Sequence, residues 1–448
     1  MSGSPFARRV AGVFATRLLT FASTVAVAFL LARLLGPDGR GAYSLLLLLP
    51  STLFALAQFG LPSALTYFAG RGHSLPSLLA LAAGATIGLS AVLVPLALLA
   101  MPLLQESVLR AAPADLLPLA LVGLPIMIGS SLFGSILWGR QLVRRYTLIL
   151  AVQAANSLLL VLLLVGAAGL DVLGALVAHL LAVGVTAVAV IVSAWQASAR
   201  ETGAVPAPDD RAAARRPARL GEVVTYGLRL YPSSVSTFLS YRADLFVLGL
   251  LLGDAGEIGL YTLAVSLAEM VFHVPDAIAT ILYPRVAGSQ REEADRFAPS
   301  VSRFAVLVTV LGALALIPAA VVAVLIILPE FVGSLLPFGI LIFGTVALSV
   351  SKVLSGYISG LGRPLPVSLI AVTGMVVNIG LNFALIPPFG IAGAALSSAI
   401  SYTVHAGLTT WVASRLARAP MRAFLLPGRA EASRLRQRAA ELLRRVRG

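Results

Sequence analysis

The chain has 448 residues, 58% of them hydrophobic and only 12% charged, with a mean hydropathy of +0.95. No soluble domain of that length buries so much apolar surface, so the solvent it requires is a bilayer, where a helix spans with about 20 apolar residues. The net charge of +14 does not point to nucleic acid, because the arginines sit beside apolar runs, where they set orientation, and the absence of cysteine excludes disulfides and thiolate metal sites.

Long Leu/Ala/Val runs exclude the period-2 alternation of a membrane barrel, and backbone groups in hydrocarbon must bond within their own segment. The pattern therefore predicts an all-α integral membrane protein with about twelve transmembrane helices, over 12–35, 42–69, 76–100, 114–138, 146–166, 172–196, 222–252, 258–283, 301–328, 332–360, 366–386 and 391–414. The first follows Arg8-Arg9 and is too long for the apolar stretch of a signal peptide, so it reads as a span. Gly36-Pro37-Asp38-Gly39 reads as a tight turn between the first two spans. Prolines inside several spans (Pro50, Pro62, Pro95, Pro125, Pro232, Pro275, Pro318) are tolerated where neighbours re-satisfy the backbone.

Four segments follow: a six-helix lobe over 1–196, a cytoplasmic linker rich in Ala, Pro and Arg over 197–220, a second six-helix lobe over 221–414, and a basic cytoplasmic tail over 415–448. In the tail, Leu435, Ala439, Leu442 and Val446 have helical spacing, which fits either an interfacial helix on an anionic leaflet or a plain orienting tail. With the N-terminus assigned to the cytoplasm, 27 arginines fall inside and three, Arg33, Arg40 and Arg110, outside. That bias predicts an even number of spans with both termini cytoplasmic.

The two halves echo one another. Leu34-Leu35-Gly36…Gly41-Ala42-Tyr43 returns as Leu251-Leu252-Gly253…Gly259-Leu260-Tyr261, one residue longer in the turn. Asn156 begins a stretch ending at Gly169 and restarting at Gly174-Ala175, and Asn378 begins one ending at Gly390 and restarting at Gly393-Ala394. Repeated membrane halves with a site at their interface are the architecture of secondary transporters. There is no GxSxG, no phosphate-cradling GxxxxGK[ST] and no HExxH, so neither covalent catalysis, nor a cofactor, nor a metal is indicated.

Ala32-Arg33-Leu34-Leu35-Gly36-Pro37…Gly41-Ala42-Tyr43, then Gln58-Phe59-Gly60-Leu61-Pro62-Ser63-Ala64-Leu65, resembles the polysaccharide flippases of bacterial envelopes. These belong to a superfamily that includes lipid II flippases and multidrug-and-toxin extrusion antiporters. The resemblance continues through Asp244-Leu-Phe-Val-Leu-Gly249, Pro284 and Asn378…Gly390-Ile-Ala-Gly393, nearly the whole chain. It implies two pseudo-symmetric six-helix lobes around a central cavity, alternating access, and a polyprenyl-diphosphate-linked oligosaccharide moved to the outer leaflet of the inner membrane. Its implied partners are that lipid-linked glycan, the membrane lipids, and a glycan polymerase and glycosyltransferases. Lipid II flippases usually carry two further spans and charges in the first helix; Phe21–Leu30 has none. A cation-coupled drug antiporter of the same superfamily, or a membrane polysaccharide polymerase, are the alternatives.

An ionisable side chain inside a membrane costs about 2.5–3.5 kcal/mol on insertion scales and faces a cavity or a partner. Arg242, Arg229 and Lys352 lie within predicted spans and suit a diphosphate headgroup. The competing reading is internal pairing, Arg242 with nearby Asp244, and snorkelling for the other two. Arg33 and Gln58 are further candidate cargo contacts. Glu269, His273 and Asp276 recur at i, i+4, i+7, one helix face, which fits a proton or cation coupling site or a fixed polar seam; Asp244 is grouped with them. Asn378 and Asn382 read as helix–helix hydrogen bonders.

Overall fold

The computed structural model describes residues 5–203, 216–273, 275–276, 278–279, 282, 286 and 290–426. Half of the expected linker, most of the basic tail with its helical spacing, and Pro284 lie outside the described residues. The helices in chain order are α1 (Pro5–Ala57), α2 (Leu61–Gly70), α3 (Leu75–Glu106), α4 (Leu117–Leu121), α5 (Gly123–Gly139), α6 (Val143–Val161), α7 (Asp171–Gly203), α8 (Leu220–Leu251), α9 (Ala255–Glu269), α10 (Arg291–Ile327), α11 (Leu335–Gly360), α12 (Pro364–Ala417) and α13 (Arg422–Leu425). No strand occurs among the described residues.

Ten helical segments among the described residues are long and apolar enough to cross a membrane. Two of them, in α1 and α12, are pairs of arms meeting at a glycine. Gly36 has φ 66 and ψ −178, and Gly390 has φ 55 and ψ −135, backbone that a Cβ disfavours. Divided there, the ten segments supply twelve crossings, matching the hydropathy pattern.

The turn after the first span is tighter than its glycines suggest. The helix resumes at Pro37, whose missing N–H is harmless in a first turn, so the second span starts five residues ahead of the expected 42. The same span then breaks at Phe59 and Gly60, both at positive φ, and restarts as α2 with Pro62 in its first turn. α10 begins ten residues before the expected 301, its first turn carrying Glu292 and Glu293, which complement the positive end of the helix dipole.

The chain forms two compact units: Met1–Leu263 with Ile327–Val332, and Ala264–Ile326 with Gly333–Gly448. In the first, Leu61, Leu65 and Phe68 of α2 pack with Leu78 of α3 and with Ile128, Leu132 and Ile136 of α5. In the second, Ala294, Ala298 and Ala305 of α10 meet Val353, Leu354 and Tyr357 of α11, and Phe424 of α13 closes the cluster. Lipid tails are as apolar as leucine, so small residues and polar bonds must supply the specificity between helices. The two arms of α12 show this. Buried Asn378 donates to Ser398 Oγ at 3.2 Å and Ser401 Oγ at 3.3 Å, and Asn382 donates to Asn378 Oδ1 at 3.0 Å.

The repeated sequence motif recurs as repeated geometry inside the first unit. Gly253 has a positive φ, as Gly36 does. A Cβ at Gly41 would lie 1.8 Å from the Ala255 carbonyl oxygen, and one at Gly259 would lie 1.9 Å from the Pro37 carbonyl oxygen. Each motif thus seats its glycine against the residue four before the other's glycine. Elsewhere large apolar side chains, among them Leu99, Ile326 and Phe343, point away from the protein. Helices apolar on their outer faces, in this number, make a multi-pass membrane protein.

Candidate functional site

α8 carries three of the candidate side chains. Arg242 is half-buried and has no hydrogen-bond or ion-pair partner among the described residues. Asp244 is buried at 3% exposure, accepting from the Tyr261 hydroxyl and, at 2.9 Å, from the Leu245 backbone N–H. The competing reading, an Arg242–Asp244 pair, is therefore not what forms. Residues two apart on a helix face nearly opposite directions, so only a bend of α8 would bring them together. Arg229 is exposed near the start of α8, also without a partner among the described residues.

Arg33 is exposed just before the Gly36 break. Gln58 is half-buried at the break between α1 and α2, its amide nitrogen 3.5 Å from the Ala55 carbonyl, at the limit of a hydrogen bond.

Arg40, which the charge count places on the outer side of the membrane, is buried within the protein at 6% exposure. Its guanidinium reaches back along α1 to the Ala28 carbonyl at 2.7 Å and across to the Thr262 carbonyl at 3.4 Å. Ser44 Oγ lies 3.4 Å from Thr262 Oγ1. A polar cluster thus sits behind the Gly41 and Gly259 contact. In the sequence Arg40 stands beside Gly41, the residue that meets the Ala255 carbonyl.

In the second unit, Lys352 of α11 is the chain's one lysine. Its ammonium lies 2.8 Å from Asp276 Oδ1 and 4.4 Å from the centre of the Phe272 ring. One candidate cargo cation and one candidate coupling carboxylate are therefore joined. Glu269 is half-buried at the end of α9, and His273 is exposed with Nδ1 3.1 Å from the Met270 carbonyl. Between them Met270–Phe272 tightens to a 3₁₀ turn, which advances each residue by about 120° rather than 100° and shifts the face that uniform α spacing predicts. No group of three His, Asp or Glu able to hold a metal occurs among the described residues.

Chemically, α8 offers guanidinium groups that no described residue engages, while the carboxylates Asp244 and Asp276 are already held by protein groups. No curated protein matches the chain. Solved structures share its fold. The lipid II flippase MurJ, in an inward closed conformation, is 12% identical with a TM-score of 0.74, over 93% of this chain and 88% of that one. An inward-facing multidrug resistance MATE family transporter of the MOP superfamily is 17% identical with a TM-score of 0.66, over 89% and 96%. A MOP superfamily transporter from Pyrococcus furiosus, described as having a binding pocket of reverse polarity, is 15% identical with a TM-score of 0.54, over 92% and 94%. The profile of the polysaccharide biosynthesis protein family matches residues 10–290, more than half of the sequence, and the chain belongs to that family.

Proposed function

We propose that the protein is a flippase that moves a polyprenyl-diphosphate-linked oligosaccharide from the cytoplasmic to the outer leaflet of the inner membrane, for envelope polysaccharide synthesis. Two six-helix lobes, 1–196 and 221–414, alternate access to a cavity, and both termini and the linker are cytoplasmic. The event is translocation, with no bond made or broken. Family membership supports a polysaccharide precursor as cargo, and the observation that carries the headgroup assignment is Arg242. A half-buried guanidinium within a span, with no carboxylate partner among the described residues, is suited to a mobile anion. Arg229, Arg33, Lys352 and Gln58 line the cargo's path in this reading.

A drug antiporter centred on carboxylates is less well supported, because Asp244 is held by Tyr261 and Asp276 by Lys352. A polymerase needs a sizeable polar loop, and the connection between α3 and the 3₁₀ turn before α4 is only residues 107–113. A lipid II flippase has the right fold but a different first helix.

A diphosphate leaving an electrically negative cytoplasm gains about 2.3 kcal/mol per charge per 100 mV. Membrane potential therefore drives export if the protein's cations stay in place, and Glu269 with His273 is the optional coupling site. The test is flipping of a labelled lipid-linked glycan in proteoliposomes, with potential and pH gradient clamped separately. Export is expected to rise with an inside-negative potential; a rate and final distribution indifferent to potential remove the electrophoretic mechanism. Loss of pH-gradient dependence in Glu269→Gln alone assigns coupling to that carboxylate.

A further inference from the structure

A second cationic feature lies within the first unit, away from Arg242. Arg140 and Arg145, between the end of α5 and the start of α6, line a cavity of about 250 Å³ together with Arg200 and Glu201 at the end of α7. Leu75 and Leu142 form its apolar wall. Arg140 is fixed there: one terminal nitrogen donates to the His73 carbonyl at 2.7 Å and to the two Glu201 oxygens at 3.1 and 3.2 Å. Its Nε is buried without a hydrogen-bond partner among the described residues. Arg145 and Arg200 have neither a hydrogen bond nor an ion pair among the described residues. Glu201 offsets one of the three guanidinium charges, so the cavity keeps an excess of positive charge.

The depth of the cavity is marked by aromatics. Trp138 and Trp195 are exposed close by in sequence, on α5 and α7, and Trp138 stands edge-on to Tyr146 at 6.0 Å. Tryptophan and tyrosine gather where bilayer meets water. A concavity at that depth lined by guanidinium groups and leucines together matches a molecule that is phosphate at one end and hydrocarbon next to it. Guanidinium offers paired donors to phosphate oxygens, and the Arg140–Glu201 bridge holds one wall in place before anything binds. Basic pockets between membrane helices suit anionic headgroups.

We propose that this cavity binds the phosphodiester headgroup of an anionic phospholipid. The site is separate from the cargo residues and stands whether or not the cargo is a lipid-linked glycan. The shared chemistry, a phosphate anion, has two sources, a lipid or free phosphate, and the test separates them. Full-length protein in detergent is titrated with phosphatidylglycerol, with phosphatidylcholine and with inorganic phosphate, and bound lipid is counted by native mass spectrometry alongside thermal melting. Phosphatidylglycerol is expected to bind at least tenfold more tightly than phosphatidylcholine and to raise Tm. Arg145→Gln with Arg200→Gln is expected to weaken phosphatidylglycerol at least tenfold while the lipid-free Tm stays unchanged. Each single substitution gives an intermediate loss, which keeps the test decisive if the double variant does not fold. Equal affinity in wild type and these variants overturns the proposal. So does an equal loss in Arg144→Gln, which removes a neighbouring exposed charge outside the cavity lining, and so does inorganic phosphate matching the lipid's effect.

Discussion

Arg242 and Asp244 stand two residues apart on α8, about 200° apart around its axis. That angle decides their fates: the carboxylate turns inward to Tyr261, and the guanidinium stays without a protein partner among the described residues. The sequence made both charges conspicuous inside an apolar run but could not say which would be engaged, because Asp244's partner lies on the next helix. The same applies to Lys352, whose partner Asp276 is 76 residues away. Arg242→Ala is expected to lower the flipping rate about 10- to 150-fold with expression unchanged, the range that follows from losing a charged hydrogen bond of about 1.5–3 kcal/mol. Arg242→Lys keeps the charge but not the paired donors and is expected to recover only part of the rate. Wild-type flipping by Arg242→Ala in the proteoliposome assay removes this residue from the cargo site.

At the scale of elements, hydropathy placed the spans well, because long apolar runs are hard to mistake. It placed their ends less well. Pro37 continues a helix where a glycine-rich turn was expected, and the break at Phe59 and Gly60 falls inside a run that reads as continuous. Both depend on single backbone dihedrals that composition does not encode. The repeated glycine motif was legible as a repeat, but its purpose needed the structure: two helices approach until Gly41 and Gly259 touch the opposing backbone. A methyl at either position meets a carbonyl oxygen and forces the helices apart, at a cost of about 1–3 kcal/mol. Gly41→Ala and Gly259→Ala are each expected to lower Tm. Because one separation makes room for both methyls, the double variant is expected to lose less than the sum of the two. Strict additivity in the thermal melts indicates two independent contacts instead of a single reciprocal one.

At the scale of the whole molecule, the chain is an all-helical multi-pass membrane protein, and composition alone was enough to see that. Orientation rests on the arginine bias, and the lack of native cysteine makes it straightforward to test. Ser198, inside the expected linker, is buried and a poor probe site, whereas Glu222 and Glu106 are exposed. In intact cells an impermeant thiol reagent is expected to label Glu106→Cys and to spare Glu222→Cys and Ser433→Cys. Labelling of either of the latter two reverses or breaks the topology. Lys352 has a consequence of a different kind. It is the one lysine in 448 residues, and its amine is held against Asp276 and the Phe272 ring. Acylation requires a free, neutral amine, so an amine-reactive reagent meets only one side-chain target on the entire protein, and that target is closed while the ion pair holds. The extent of modification is then a clock for the opening of this one contact, read without mutation, dye or label, and any cargo or ion that prises Lys352 from Asp276 makes it run faster.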